Sequence, residues 1–274
     1  MKTLHSLLLR ILCPALALAA LSASAAPALP QRGISAHRGA NDTHPENTIP
    51  AFREAVRLGV QQVEFDVRST KDGHLVIIHD TTVNRTTNGK GRISDLTFAQ
   101  IRKLDAGIKK DAKFAGAKIP TLEEALDSLP RDLWINVHTY ADEKAAVRVA
   151  RIIVEKKREH QAFMSCTQSR ANAVRKAYPQ IMICNMDRQG GDASRYVQET
   201  IRQKCQFIQL TKLCSPEEMR QLKAAGVKVN YFGVKSPKHC RELFAAGVDF
   251  PLVNEPALYL KECPPGGGKE PAAI

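Results

Sequence analysis

Within 44 residues the chain carries His37-Arg38-Gly39, Pro45-Glu46-Asn47-Thr48, Glu64-Phe65-Asp66 and His79-Asp80. Paired carboxylates, two histidines and an arginine are the components needed to hold a divalent cation and move protons around a phosphate. Glu64 and Asp66 alternate with Val63, Phe65 and Val67. An extended backbone therefore puts both carboxylates on one face and the three apolar residues on the other. Two buried carboxylates repel each other unless one is protonated or a cation lies between them, and a divalent metal resolves that conflict. Imidazoles titrate near neutral pH, so His37 and His79 across a phosphodiester suit one base and one acid. Arg38 offers phosphate a planar, always-charged fork. Glu46 is placed to orient Arg38, although Pro45–Thr48 has a sufficient ordinary role as loop and helix start. His44 and His74 read as loop or surface residues.

Such residues need a scaffold that gathers strand ends. From Gly33 onward, short β-rich runs alternate with helical patterns, as in βα units around a parallel sheet. Eight runs fit the repeat: 34–37, 63–67, 133–138, 162–166, 181–185, 207–210, 228–232 and 250–254. Helical segments lie between them, for example 49–58 and 217–225. The first has Thr48 as N-cap, Pro50 in its opening turn and Gly59 as a stop. Eight units in about 240 residues predict an α/β fold of the TIM (β/α)8 barrel type, with catalytic groups at the C-terminal ends of the strands. One run breaks the repeat. Residues 74–78 follow the second strand through Lys71-Asp72-Gly73, a turn suited to a hairpin. The connection is too short for a parallel crossover, so that strand should run antiparallel. Residues 70 to about 118 are accordingly expected as a hairpin-containing insertion after the second strand, at the barrel mouth.

The N-terminus reads as a leader. Lys2 and Arg10 flank a first segment, an apolar run follows to Leu21, and Ala23-Ser24-Ala25 offers a cleavage site. Residues 1–25 are expected to be a signal peptide, which implies a periplasmic or secreted protein. Residues 26–263 are expected to form one barrel domain, and 264–274, with Gly266–Gly268, a disordered tail. Loss of the leader lowers the formal charge from +12 to +10. That balance favours phosphorylated substrates, anionic polymers or proximity to a membrane surface. No basic run is interleaved with aromatics, which argues against nucleic acid as partner. Six cysteines remain after residue 25, none in CxxC spacing, and partial disulfide pairing is the expectation after export.

The ordered motifs resemble the glycerophosphodiester phosphodiesterase family. HRG, PENT, a paired ExD, DG followed by HD, and Arg85-Thr86-Thr87-Asn88-Gly89 are all present, as is Ile119-Pro120-Thr121-Leu122-Glu123-Glu124. The resemblance is strong over 34–124 and traceable to Pro256. It implies a barrel that hydrolyses glycerophosphodiesters to glycerol 3-phosphate and an alcohol, assisted by Mg2+ or Ca2+. On matching positions His37 and His79 would be the acid–base pair, Glu64 and Asp66 metal ligands, and Arg38 a phosphate contact. The related mechanism has a neighbouring glycerol hydroxyl attack phosphorus and form a cyclic phosphate that water opens.

The chain departs from that pattern at several positions. His138 stands where the family has a glutamate and Tyr140 where it has a lysine. Parity keeps His138 beside Asn136 on the lumen face, so it is expected as the third metal ligand. Imidazole is a softer ligand than carboxylate and favours Mn2+, Fe2+ or Zn2+ over Ca2+ or Mg2+. Tyr140 and Lys212 are the expected substrate contacts, with Lys212 or Lys235 replacing the missing lysine charge. Phe232, Asn254 and Cys166-Thr167-Gln168 also depart from the pattern and are expected to shape a leaving-group pocket. The leading expectation is an exported, metal-dependent phosphoric diester hydrolase. The alternatives are a weakened barrel that binds phosphorylated ligands, or a phospholipase D-like enzyme releasing a cyclic phosphate.

Overall fold

The computed structural model describes residues 28–187 and 192–264. The leader expected at 1–25, and the tail from residue 265 onward, lie outside the described residues. Eight parallel strands close into a barrel: β1 (Ser35–His37), β2 (Gln62–Ser69), β4 (Trp134–Thr139), β5 (Ala162–Cys166), β6 (Met182–Asn185), β7 (Phe207–Leu210), β8 (Lys228–Phe232) and β9 (Phe250–Val253). Closure comes from β1, which pairs in parallel with both β2 and β9. The remaining strand, β3 (Leu75–Ile77), runs antiparallel to β2 with Val67 opposite Ile77. This is the expected TIM barrel with a hairpin after its second strand.

Helices follow the strands. The first, α1 (Ile49–Leu58), starts at Pro50 in its opening turn and stops at Gly59, whose φ of 84° is left-handed. Thr48 holds the N-cap position, but its hydroxyl donates to the Pro45 carbonyl at 2.6 Å rather than capping the helix. Its bond therefore tightens the PENT loop instead. Further round lie α2 (Phe98–Lys103), α3 (Leu122–Ser128), α4 (Glu143–Glu155) and α5 (Gln168–Ala177). Outward-facing Val63, Phe65, Val67, Ile135 and Val137 meet Phe52, Leu122, Leu126, Val149 and Ile153 from the helices, all fully buried. Burying each such side chain contributes roughly 1.5–3 kcal/mol, so the outer shell fixes which strand residues point inward.

Inside, the lumen is layered. Its floor is apolar: Trp134, Phe163, Phe207 and Phe250 pack together, with Phe163 and Phe207 stacked at 3.7 Å between centroids. Trp134 Nε1 donates to the Pro30 carbonyl at 2.8 Å, which ties the entering segment across the bottom. Above the floor, Ser35, Gln62, Asn136, Ser165 and Asn230 form a buried polar layer. The insertion has a small core of its own, built from Val76, Ile78, Val83, Ile93, Ile101, Ala106 and Ile119. It stands as a rigid wall beside the mouth. Among the described residues the expected disulfides are not formed: Cys166, Cys205, Cys214, Cys240 and Cys263 are free thiols. A barrel of this size buries enough apolar surface without them.

Candidate metal and acid–base centre

Glu64 and Asp66 end up in the lumen because their three apolar neighbours on β2 are claimed by the helical shell. The two carboxylates are 2% and 1% exposed. Parallel pairing sets Asp66 opposite His138 on β4 and Glu64 opposite His37 on β1. His138 Nδ1 lies 3.5 Å from Asp66 Oδ1 and 3.8 Å from Glu64 Oε1. One donor atom from each residue falls within 4.8 Å of the others. Carboxylate and imidazole donors at that spacing fit a single divalent cation. The electrostatics agree. Burial first, and then the neighbouring Asp66 charge, push the Glu64 carboxyl well above its ordinary range. Burial opposes ionisation of Asp66 too, but bonds from His138 and Asn47 and the Arg38 charge bring it below its usual value. A cation removes the conflict between them.

The loop after β1 builds the next wall. Arg38 and Gly39 are both left-handed, with φ of 57° and 78°. A Cβ on Gly39 would stand 2.7 Å from the Ala51 backbone, so the turn requires glycine. The turn aims the Arg38 amide at Glu64 Oε2, to which it donates at 3.1 Å. The guanidinium reaches Glu46 at 2.9 Å and comes within 3.3 Å of Asp66. Glu46 thus orients Arg38, as expected. Asn47 does more than the sequence suggested: it is also left-handed, donates from Nδ2 to Asp66 Oδ2 at 2.8 Å, and accepts the Asp66 amide at 3.3 Å.

Each catalytic candidate is tied back through Nδ1. His37 Nδ1 meets Asn254 Oδ1 at 2.8 Å, and that oxygen also accepts from Asn41 Nδ2 at 2.9 Å. An amide oxygen only accepts, so Nδ1 carries the hydrogen and Nε2 faces the site, 4.0 Å from Glu64 Oε2. Burial, followed by the Arg38 charge, lowers the His37 pKa below 6.5. His79 Nδ1 meets Asp80 Oδ1 at 2.9 Å. Asp80 is gripped in turn by Arg85, whose Nε and Nη2 donate at 2.8 and 2.9 Å, and Arg85 also reaches Glu46 at 2.6 Å. A continuous chain of charges therefore links Arg38 to His79 across the mouth.

Tyr140 packs against His138 in a tilted arrangement, 4.2 Å between ring centroids, and meets the edge of His79 at 5.8 Å. Burial and the two nearby carboxylates push its hydroxyl up to about 12, so it stays a donor. Arg68 is the residue missed from sequence. It is the next lumen-side position on β2 after Glu64 and Asp66, so the same parity could have found it. Its guanidinium lies 4.5 Å over the Tyr140 ring, and Nε donates to the His79 carbonyl at 2.6 Å. The positive charge absent at Tyr140 is thus supplied from β2. Lys212 and Lys235 are exposed on the loops after β7 and β8, and neither is bonded to these residues. Phe232 and Asn254 both pack on His37, Phe232 edge-on at 5.5 Å and Asn254 through its carboxamide oxygen. Cys166 points outward into the helical shell.

The comparisons with known proteins agree with this geometry. A glycerophosphodiester phosphodiesterase from Caldanaerobacter subterraneus is 53% identical over 105 residues, 38% of this chain and 43% of that protein. The chain thus matches less than half the length of that curated relative. Among solved structures, an Oleispira antarctica phosphodiesterase in complex with the product sn-glycerol-3-phosphate is 26% identical, with a TM-score of 0.74 over 85% of this chain and 96% of that one. A glycerophosphodiester phosphodiesterase from Agrobacterium tumefaciens, also 26% identical, has a TM-score of 0.69 over 84% of this chain and 99% of its own. The sequence model of the glycerophosphoryl diester phosphodiesterase family matches residues 37–190, a stretch that holds every proposed metal ligand and both candidate acid–base histidines. With more than half of its length covered by that match, the chain belongs to the glycerophosphoryl diester phosphodiesterase family.

Proposed function

We infer that this chain is a metal-dependent phosphodiesterase that cleaves glycerophosphodiesters to glycerol 3-phosphate and an alcohol. The observation that carries this reading is the Glu64–Asp66–His138 triad, its carboxylates buried, flanked by two histidines, each with Nδ1 held by an acceptor. Family membership and the product-bound structural neighbour support the same chemistry.

Glu64, Asp66 and His138 would hold the cation, which when bound supplies charge stabilisation at the phosphoryl oxygens. The imidazole in this set favours Mn2+, Fe2+ or Zn2+ over Mg2+ or Ca2+. His37, kept neutral by burial and by Arg38, accepts a proton at Nε2 from the attacking glycerol hydroxyl, and water then opens the resulting cyclic phosphate to glycerol 3-phosphate. His79 returns a proton to the departing alcohol oxygen, with Asp80 holding its far nitrogen. Arg38, steadied by Glu46, presents its remaining donors to the phosphate. Tyr140 adds a neutral hydroxyl on the far side. His138, Tyr140 and Asn254, the departures that suggested a weakened barrel, each have a working place here, so turnover is the better-supported reading. The leader-like N-terminus supports a location outside the cytoplasm.

Hydrolysis of glycerophosphocholine should be abolished by excess EDTA and restored by a divalent metal. His37→Ala and His79→Ala should each lower kcat by about 100- to 10,000-fold. Full activity in excess chelator would overturn the reading. Phosphorus NMR of the products should give glycerol 3-phosphate, and a cyclic phosphate persisting as sole product would point to the phospholipase D-like reaction.

A further inference from the structure

Two clefts flank the metal centre, and their cations are differently engaged. On one side, a cleft of about 220 Å³ is lined by Arg85, Lys109 and Lys110. All three charges are used by the protein: Arg85 on Glu46 and Asp80, Lys109 on the Asn84 carbonyl, and Lys110 on the carbonyls of Asn41 and Asp42 at 2.7 Å. The other side differs. A cavity of about 210 Å³ is lined by Arg68, Ser69, Thr81, Arg92, Ser94 and Tyr140, and no carboxylate lines it.

Arg68 spends only Nε, on the His79 carbonyl, and its terminal nitrogens have no hydrogen-bond partner among the described residues. The Arg92 guanidinium has none at all among them. Two unspent guanidinium groups with three aliphatic hydroxyls and no acid make a site chemically suited to an anion. Its position matters as much as its charge. Tyr140 forms the wall between this cavity and the metal centre, touching His138 on one side and Arg68 on the other. Arg68 is bonded directly to His79, the proposed proton donor to the leaving alcohol. The cavity therefore lies on the leaving-group side of the scissile phosphate.

Resting on the proposed phosphodiesterase reading, we propose that this cavity binds a second anionic group, carried by the alcohol moiety of the substrate. The preferred substrates are then glycerophosphodiesters whose leaving alcohol bears a phosphate or carboxylate, rather than a cationic or neutral one. Arg92, on the insertion, senses the charge at the outer end. Arg68, from the barrel, binds it nearer the reaction and keeps the His79 loop in register.

The test compares three probes on the full chain loaded with its metal: glycerophosphocholine, glycerophosphoglycerol, and glycerophosphoglycerol bearing a terminal phosphate. The readout is the ratio of kcat/KM for the phosphate-bearing probe to that for the neutral one, which does not depend on the fraction of folded enzyme. The ratio should exceed tenfold, fall about tenfold in Arg92→Gln, and invert in Arg92→Glu. Lys109→Gln removes one positive charge outside the cavity and should move the ratio less than twofold. A ratio near one, or one that Arg92→Gln leaves unmoved, overturns the pocket while the phosphodiesterase reading stands. Absence of turnover on all three probes with every metal overturns both.

Discussion

At the scale of single residues, the site works by holding each reactive group from behind. Asp66 is fixed by both ends of the Asn47 carboxamide, while His37 and His79 are fixed through Nδ1 by Asn254 and Asp80. Partners of this kind set tautomer and orientation without touching substrate. Asn47→Ala should therefore weaken metal affinity by about 10- to 100-fold while leaving the fold intact, as read by metal titration of the apo protein. Unchanged affinity would mean that Asp66 needs no support. The carboxylate pair was legible in sequence because alternation on a strand is a local signal. The Asn254 bond to His37 was not, because it joins residues 217 positions apart and depends on barrel closure. Arg68 sat within reach of the same parity argument that found Glu64 and Asp66.

Among the elements, β2 and its hairpin carry most of the function. β2 supplies two proposed metal ligands and Arg68, and the hairpin delivers His79, while the insertion contributes Arg85. Strand positions were readable because each βα unit repeats the same apolar spacing, and three of the eight barrel strands match their expected bounds: 162–166, 207–210 and 228–232. The antiparallel hairpin was readable from the shortness of its turn. The charge chain that ties the insertion to the barrel was not, because its members come from two separate loops. That chain has a pH signature. Arg85 bonds hold the Asp80 carboxyl well below its usual range; burial opposes ionisation of Glu46, but Arg85 and Arg38 together lower it as well. Carboxyls depressed in the folded state stabilise it above their ordinary pKa, near 4, and that contribution disappears as pH falls through the folded values. Arg85→Gln should accordingly cost about 1 kcal/mol at pH 7, after allowing for solvent screening, and the difference should shrink steadily below about pH 4. Urea unfolding across pH 3–7 measures this, and a deficit independent of pH would show that the pairs carry no weight.

For the whole molecule, the cation links chemistry to stability. Packing of the barrel floor and outer shell forces Glu64, Asp66 and His138 to converge into a charge cluster that a bound cation would relieve. A ligand that binds the folded state alone at 100 times its Kd stabilises by about 2.7 kcal/mol, and for a chain of this size each kcal/mol raises Tm by about 2–4 °C. Thermal unfolding of chelator-stripped protein, with and without saturating Mn2+, tests this most directly. A rise of about 5–10 °C that Asp66→Asn abolishes is the predicted result. Identical Tm values with and without metal, or a rise that Asp66→Asn leaves intact, would contradict a cation held by these three residues.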